Sequence, residues 1–95
     1  MKIKVHYISL VKSFTKTSQD EFNLPEGATL SDALYMVANK YGKQFEEEVY
    51  DPGKQEMKTT FVAMVNGVLM DQLKGVQTPL KEGDSIILMS LMTGG

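Results

Sequence analysis

Residues 29–42, Thr-Leu-Ser-Asp-Ala-Leu-Tyr-Met-Val-Ala-Asn-Lys-Tyr-Gly, decide the fold. Leu30, Ala33, Leu34, Val37, Ala38 and Tyr41 recur at three- and four-residue spacings, which a helix gathers on one stripe. Thr29 is placed to cap the first turn, with Asp32 three residues on in the position of a capping-box acid. Gly42 is expected to close the helix as a left-handed cap. The spacing therefore predicts a helix over 30–41 with one face to bury, and one apolar stripe needs a sheet to lie on.

The flanking sequence supplies that sheet. On the N-terminal side, residues 2–11 (KIKVHYISLV) alternate Ile3, Val5 and Tyr7 with Lys2, Lys4 and His6, the period of a half-buried strand with His6 on its surface. Residues 12–19 read as a polar hairpin loop. Residues 21–24 read as a second strand stopped by Pro25, with a turn at Pro25-Glu26-Gly27. On the C-terminal side, 43–58 is the least regular stretch. Phe45 and Val49 are placed to tuck a helical turn against the core, Glu46, Glu47 and Glu48 form a solvated face, and Asp51-Pro52-Gly53 is a turn. Residues 59–65 (TTFVAMV) make a strand, Asn66-Gly67 a two-residue hairpin turn, and 68–70 a short return strand. A connection over 71–81 is anchored by Leu80, and 85–92 is the last strand. The order strand, strand, helix, strand, strand, strand predicts a single α+β domain over 1–95. It is a β-grasp, with a mixed sheet, one main helix on one face, and the last strand central beside the first.

Composition narrows the chemistry. The 95 residues include no Cys and no Trp, and all ten positive charges are Lys. Disulfides, thiolate metal sites, iron–sulfur ligation and a cysteine nucleophile are excluded, as is any guanidinium fork. One histidine cannot furnish a catalytic triad with evident partners, and no metal site is expected. The net charge of −2 argues against nucleic acid. With no apolar run long enough for a membrane span or a signal segment, a cytoplasmic protein is expected.

The last strand is apolar on both phases, and one helix can cover only one of them. Ile86 and Leu88 are assigned inward, as are Phe61, Ala63 and Val65. Val62, Met64, Ile87, Met89 and Leu91 are assigned outward, an apolar patch of the kind that marks partner sites. Methionine suits such a surface because it is unbranched and polarizable. The competing reading folds 43–58 over that face. Lys74 and Lys81 are the cations placed to meet an acidic partner. Beyond Met92 and Thr93 the side chains end in Gly94-Gly95, a thin strip carrying a carboxylate, read either as a frayed tail or as a segment that enters narrow sites.

The ordered set Pro-Glu-Gly-Ala-Thr (25–29), Val65-Asn66-Gly67, Thr-Pro-Leu-Lys-Glu-Gly-Asp (78–84), a short apolar strand and terminal Thr93-Gly94-Gly95 resembles the ubiquitin-like sulfur carriers of the MoaD/ThiS superfamily, most closely the MoaD branch, the small subunits of molybdopterin synthase. The resemblance covers nearly the whole chain. It implies that a ubiquitin-activating-type adenylating enzyme (MoeB/ThiF-like) adenylates the Gly95 carboxylate and that sulfur then replaces AMP to give a thiocarboxylate. Gly94 threads the narrow sites beside it. A MoaE-like large subunit then takes the sulfur for molybdenum cofactor biosynthesis. Thr93, Met92, Leu91, Met89, Ile87, Met64 and Val62 are the implied partner contacts. No bound cofactor is implied beyond the thiocarboxylate or AMP adduct itself. The chain brings no general acid or base. Ser90-Leu91 stands where the MoaD branch commonly carries Pro-Pro. The acceptor therefore stays open between molybdopterin, a ThiS-like or other-pathway carrier, and a protein modifier joined to lysines through Gly95. An interaction module with an incidental tail is the remaining reading.

Overall fold

Alternation puts Ile3, Val5 and Tyr7 on the buried side of β1 (Lys2–Tyr7) in the computed structural model, which describes residues 1–91. The chain then departs from the expected long strand and loop. A helix, α1 (Leu10–Thr15), occupies the start of the segment read as a loop. Its existence comes from burial: Val11 and Thr15, one turn apart, both leave solvent. Ser9 enters it at φ 59° with no side-chain cap, so no start signal marks it in the sequence. The second strand, β2 (Gln19–Asn23), begins two residues earlier than read and pairs antiparallel with β1, Val5 opposite Asp20.

The decisive helix forms as predicted. α2 (Leu30–Tyr41) buries Leu30, Ala33, Leu34, Val37 and Ala38. Thr29 Oγ1 accepts from the Asp32 N–H while the Asp32 carboxylate accepts from the Thr29 N–H at 2.8 Å, a complete capping box. Gly42 has φ 86° as required of a glycine, but ψ −161° is not the left-handed helical cap expected, because the chain turns directly into α3 (Lys43–Glu48). A small two-stranded ribbon follows, β3 (Tyr50–Asp51) with β4 (Glu56–Met57), around the Pro52-Gly53 turn. Phe45, Val49 and Tyr50 are fully buried, and α3 and β3 pack on α2. The 43–58 segment thus enlarges the helical layer and does not fold over the far side of the sheet.

β5 (Phe61–Val65), β6 (Val68–Leu69) and β7 (Ser85–Ser90) complete the sheet, in the order β2-β1-β7-β5-β6 among the described residues. β7 is parallel to β1 and antiparallel to β5, the central position expected of it. It ends at Ser90 rather than continuing through 92 as read, the described residues stopping at Leu91. Asn66 carries the positive φ of the hairpin turn, at 51°. Two short 3₁₀ turns, Met70–Gln72 and Gly75–Gln77, follow β6, and Leu80 beyond them is buried and bonded to Ala28 as an anchor. The expected α+β β-grasp layout, helix on one face of a mixed sheet, is the architecture observed among the described residues.

A polar tie locks the β2 edge to α2. Asp20 accepts from Tyr7 Oη at 2.9 Å, from Lys40 Nζ at 2.7 Å and from Tyr41 Oη. Burial pushes both phenols up, and the Asp20 carboxylate beside them adds to it: Tyr7 rises well above the usual tyrosine range and Tyr41 to about 12. Burial alone would raise Asp20, yet the hydrogen bonds from Lys40, Tyr41 and Tyr7 hold it below the ordinary aspartate value. The depressed Asp20 contributes stability above an unfolded value of about 3.9, lost as pH falls through its folded value. The raised phenols contribute below about 10, lost as pH rises through theirs.

Leu34→Ala, at a fully buried position, is expected to cost about 2–5 kcal/mol through the cavity it leaves, measured by chemical denaturation at pH 7. Asp20→Asn is expected to cost about 1.5–3 kcal/mol at pH 7. Its deficit relative to the native chain should begin to shrink in denaturation curves taken below about pH 4, as the unfolded carboxylate takes up a proton, and should close as pH falls through the lower native value.

Candidate docking face and tail exit

A central strand in a sheet covered on one side has side chains on two surfaces, and β7 shows both. Ile86 and Leu88 are fully buried under the helical layer, while Ile87 and Met89 on the opposite phase are only half-buried. In β5, Phe61, Ala63 and Val65 are buried, and Val62 and Met64 are half-buried. Register brings the outward residues together: Val62 pairs with Met89 and Met64 with Ile87, and on the other side of β5 Leu69 pairs with Met64. Side chains opposite one another across strands lie within about 5.5 Å at Cβ, so these five form a continuous surface.

This outer surface is divided. Its β1–β2 half carries Lys2, Lys4, Glu21 and Gln19, with a Lys2–Glu21 ion pair at 3.7 Å. His6, half-buried in β1, stands opposite Ile87 at the boundary. The β7–β5–β6 half is apolar. Two exposed residues that the sequence reading did not assign extend it: Leu69 and Ile8, each 41% exposed. Ile8 continues the alternation of β1, and its N–H bonds the Leu88 carbonyl at 3.0 Å. Its out-of-phase apolar character, directly after Lys2, Lys4 and His6, is the signal that would have found it.

The chain leaves the sheet at the edge of this half. Because β1 and β7 run parallel and β5 runs against them, the start of β5 and the ends of β1 and β7 share one end of the sheet. The Leu91 N–H bonds the Thr60 carbonyl at 2.7 Å, the last main-chain tie among the described residues, and its side chain is 62% exposed. Beside it is an open groove of about 270 Å³ between Met57, Lys58, Val62, Leu69, Met70 and Leu91. Lys58 fixes the groove wall through its N–H to the Val49 carbonyl and its carbonyl to the Phe61 N–H. Leu91, Met89, Ile87, Met64 and Val62 are therefore brought together. Met92, Thr93, Gly94 and Gly95 lie outside the described residues. Lys74 and Lys81 flank a separate groove on the 3₁₀ loop, with Leu73 and Pro79.

A β-grasp sheet, a helical layer on one side, an apolar half-face on the other and a chain exit at its edge define a ubiquitin-like protein. The chain belongs to the ThiS family, a family of ubiquitin-like sulfur carriers, which it matches over residues 5–95. No curated protein sequence matches it. Among solved structures it is similar to SAMP1 from Haloferax volcanii, with TM-score 0.81 at 15% identity over 100% of both chains. It is also similar to a protein from Pyrococcus furiosus described as molybdopterin converting factor subunit 1, with TM-score 0.72 at 27% identity over 97% of this chain and 99% of that one. A third is the complex of subunits 1 and 2 of molybdopterin-converting factor from Helicobacter pylori, with TM-score 0.60 at 19% identity over 100% of each chain.

The two phases of β7 predict opposite responses to charge. Met64→Lys and Met89→Lys are expected to leave the fold intact at a cost of about 1 kcal/mol each, since each half-buried side chain loses an apolar cross-strand pair. Leu88→Lys is expected to abolish folding, since it places an unpaired ammonium in the core. Circular dichroism melts of the three variants check both.

Proposed function

We propose that the chain is a sulfur carrier whose Gly95 carboxylate is adenylated and converted to a thiocarboxylate, with Gly94 threading the active sites of its partners. Membership of the ThiS family over nearly the full chain carries this reading. The apolar half-face ending at Leu91 supports it physically: a carrier without a thiol must hold sulfur on its main-chain terminus and needs enzymes to dock beside that terminus. Val62, Met64, Ile87, Met89 and Leu91 form the docking surface, and Met92 and Thr93 continue it along the tail. In this scheme docking supplies orientation and proximity, and the enzymes supply the acid, base and phosphate chemistry.

The first partner is an adenylating enzyme of the ubiquitin-activating type (MoeB/ThiF-like). The carboxylate oxygen attacks the α-phosphorus of ATP and pyrophosphate leaves, and a sulfur nucleophile then displaces AMP at the carbonyl carbon of the resulting acyl-adenylate. The acceptor we favour is a molybdopterin precursor on a MoaE-like subunit. The 27% identity to the Pyrococcus furiosus protein favours this route, and the Helicobacter pylori complex supplies a precedent for a two-subunit arrangement. The proposed location is the cytoplasm, where such cofactor assembly takes place. Among the described residues no helix is long and apolar enough to cross a membrane.

Incubation with an activating enzyme, ATP and a sulfur donor is expected to raise the intact mass by the difference between sulfur and oxygen, with the label on the C-terminal peptide. Deletion of Gly95 is expected to abolish the shift while leaving the melting temperature in place. A tagged chain that instead forms isopeptide ladders on cellular lysines would favour the modifier reading, and unchanged function after Gly95 deletion would exclude both.

A further inference from the structure

With no Cys in the chain, methionine is its only oxidisable sulfur, and there are seven. Six lie in the described residues. Met64 and Met89 sit on the outer face, and Met57 and Met70 line the adjoining groove, while Met1 and Met36 lie elsewhere. The pair on the outer face is the observation to explain, since Met1, Met36, Met57 and Met70 are packed against the core. Leu or Val would serve as well for simple coverage. Methionine adds adaptability toward dissimilar partners, and it also adds a reactive thioether.

We propose that Met64 and Met89 form a reversible oxidation site through which peroxide switches off docking. The inference rests on the docking reading above and adds its regulation. A thioether lone pair attacks one peroxide oxygen. The S–O bond forms as the O–O bond breaks, the leaving hydroxide takes up a proton as water, and the sulfur loses two electrons to become a sulfoxide. A dithiol-dependent sulfoxide reductase reverses the step, the dithiol becoming a disulfide and the sulfoxide oxygen leaving as water.

The geometry makes the two positions suited to this. Both are half-buried and keep part of their surface open to solvent, the access a small oxidant needs. Both point away from the core, so the new S=O dipole does not enter the packing of Ile86, Leu88 and α2. Each also has an apolar cross-strand neighbour, Met64 opposite Ile87 and Met89 opposite Val62. A partner seated there would desolvate the sulfoxide oxygen without offering it a donor, a loss expected to weaken docking by about tenfold or more.

The test uses the full chain, treated with hydrogen peroxide and cleared of it with catalase. An adenylating enzyme that charges the untreated chain is then added with ATP and a sulfur donor. Peptide mass mapping is expected to find sulfoxide at Met64 and Met89, with the melting curve unmoved and the charging rate down about tenfold or more. Methionine sulfoxide reductases with dithiothreitol should restore it. In a Met64→Leu/Met89→Leu chain, whatever its starting rate, peroxide should change that rate less than about twofold, because the apolar volume is kept and the two thioethers of the proposed site are gone while the other five methionines remain. Undiminished charging of the oxidised native chain would overturn the proposal. So would an equal loss in the double variant, or oxidation that spares Met64 and Met89 while modifying Met1 and Met36. An untreated Met64→Lys chain that charges normally would refute the docking face itself, and the oxidation site with it.

Discussion

The placement of β7 between β1 and β5 is the constraint on which the molecule depends. One six-residue strand joins the N-terminal hairpin to the C-terminal one, takes a parallel partner on one side and an antiparallel partner on the other, and carries Ile86 and Leu88 into the centre of the core. The capped α2 gives those residues a surface to pack on, and the 43–58 segment widens that layer with Phe45, Val49 and Tyr50. Tyr50 closes its polar end by sharing a hydrogen bond of 2.9 Å with Ser31, so a buried hydroxyl pair is satisfied where α2 meets the insert.

The same strand has a second phase that the fold does not consume. With the helical layer on one side only, Ile87 and Met89 stay half-exposed, and β5 and β6 align Val62, Met64 and Leu69 with them. Because β7 is also the last element among the described residues, the apolar surface and the end of the described chain coincide at Leu91. A central, two-faced strand thus supplies stability inward and an apolar surface outward, with Leu91 at the edge of that surface. This arrangement is consistent with the proposed role, in which a chain with no evident catalytic set among its described residues presents one carboxylate to enzymes that dock beside it.

Much of this was legible in the sequence because it rests on periodicity. The stripe from Leu30 to Tyr41, the Thr29–Asp32 box and the two phases of residues 61–65 and 86–91 are local patterns with one physical solution each. What was not legible depends on tertiary burial. α1 has no cap or acidic first turn, and only the covering of Val11 and Thr15 makes it a helix. The groove walls at Met57 and Met70 and the Asp20 tie to Tyr7, Lys40 and Tyr41 join residues far apart in the chain, which no window of sequence displays. Ile8 and Leu69 lie just past or within the short ends of strands, where too few residues alternate to mark an outward phase.

The claim that the outer half-sheet is the docking surface is tested most directly by methyl NMR of the chain with ¹³C-labelled methionine methyl groups, titrated with an activating enzyme. Met1 and Met36 report on surfaces away from the face, and Met64 and Met89 report on the face itself. The account predicts that the Met64 and Met89 signals shift or broaden on binding while those of Met1 and Met36 stay in place. Perturbation of Met36 with Met64 and Met89 unmoved would contradict it.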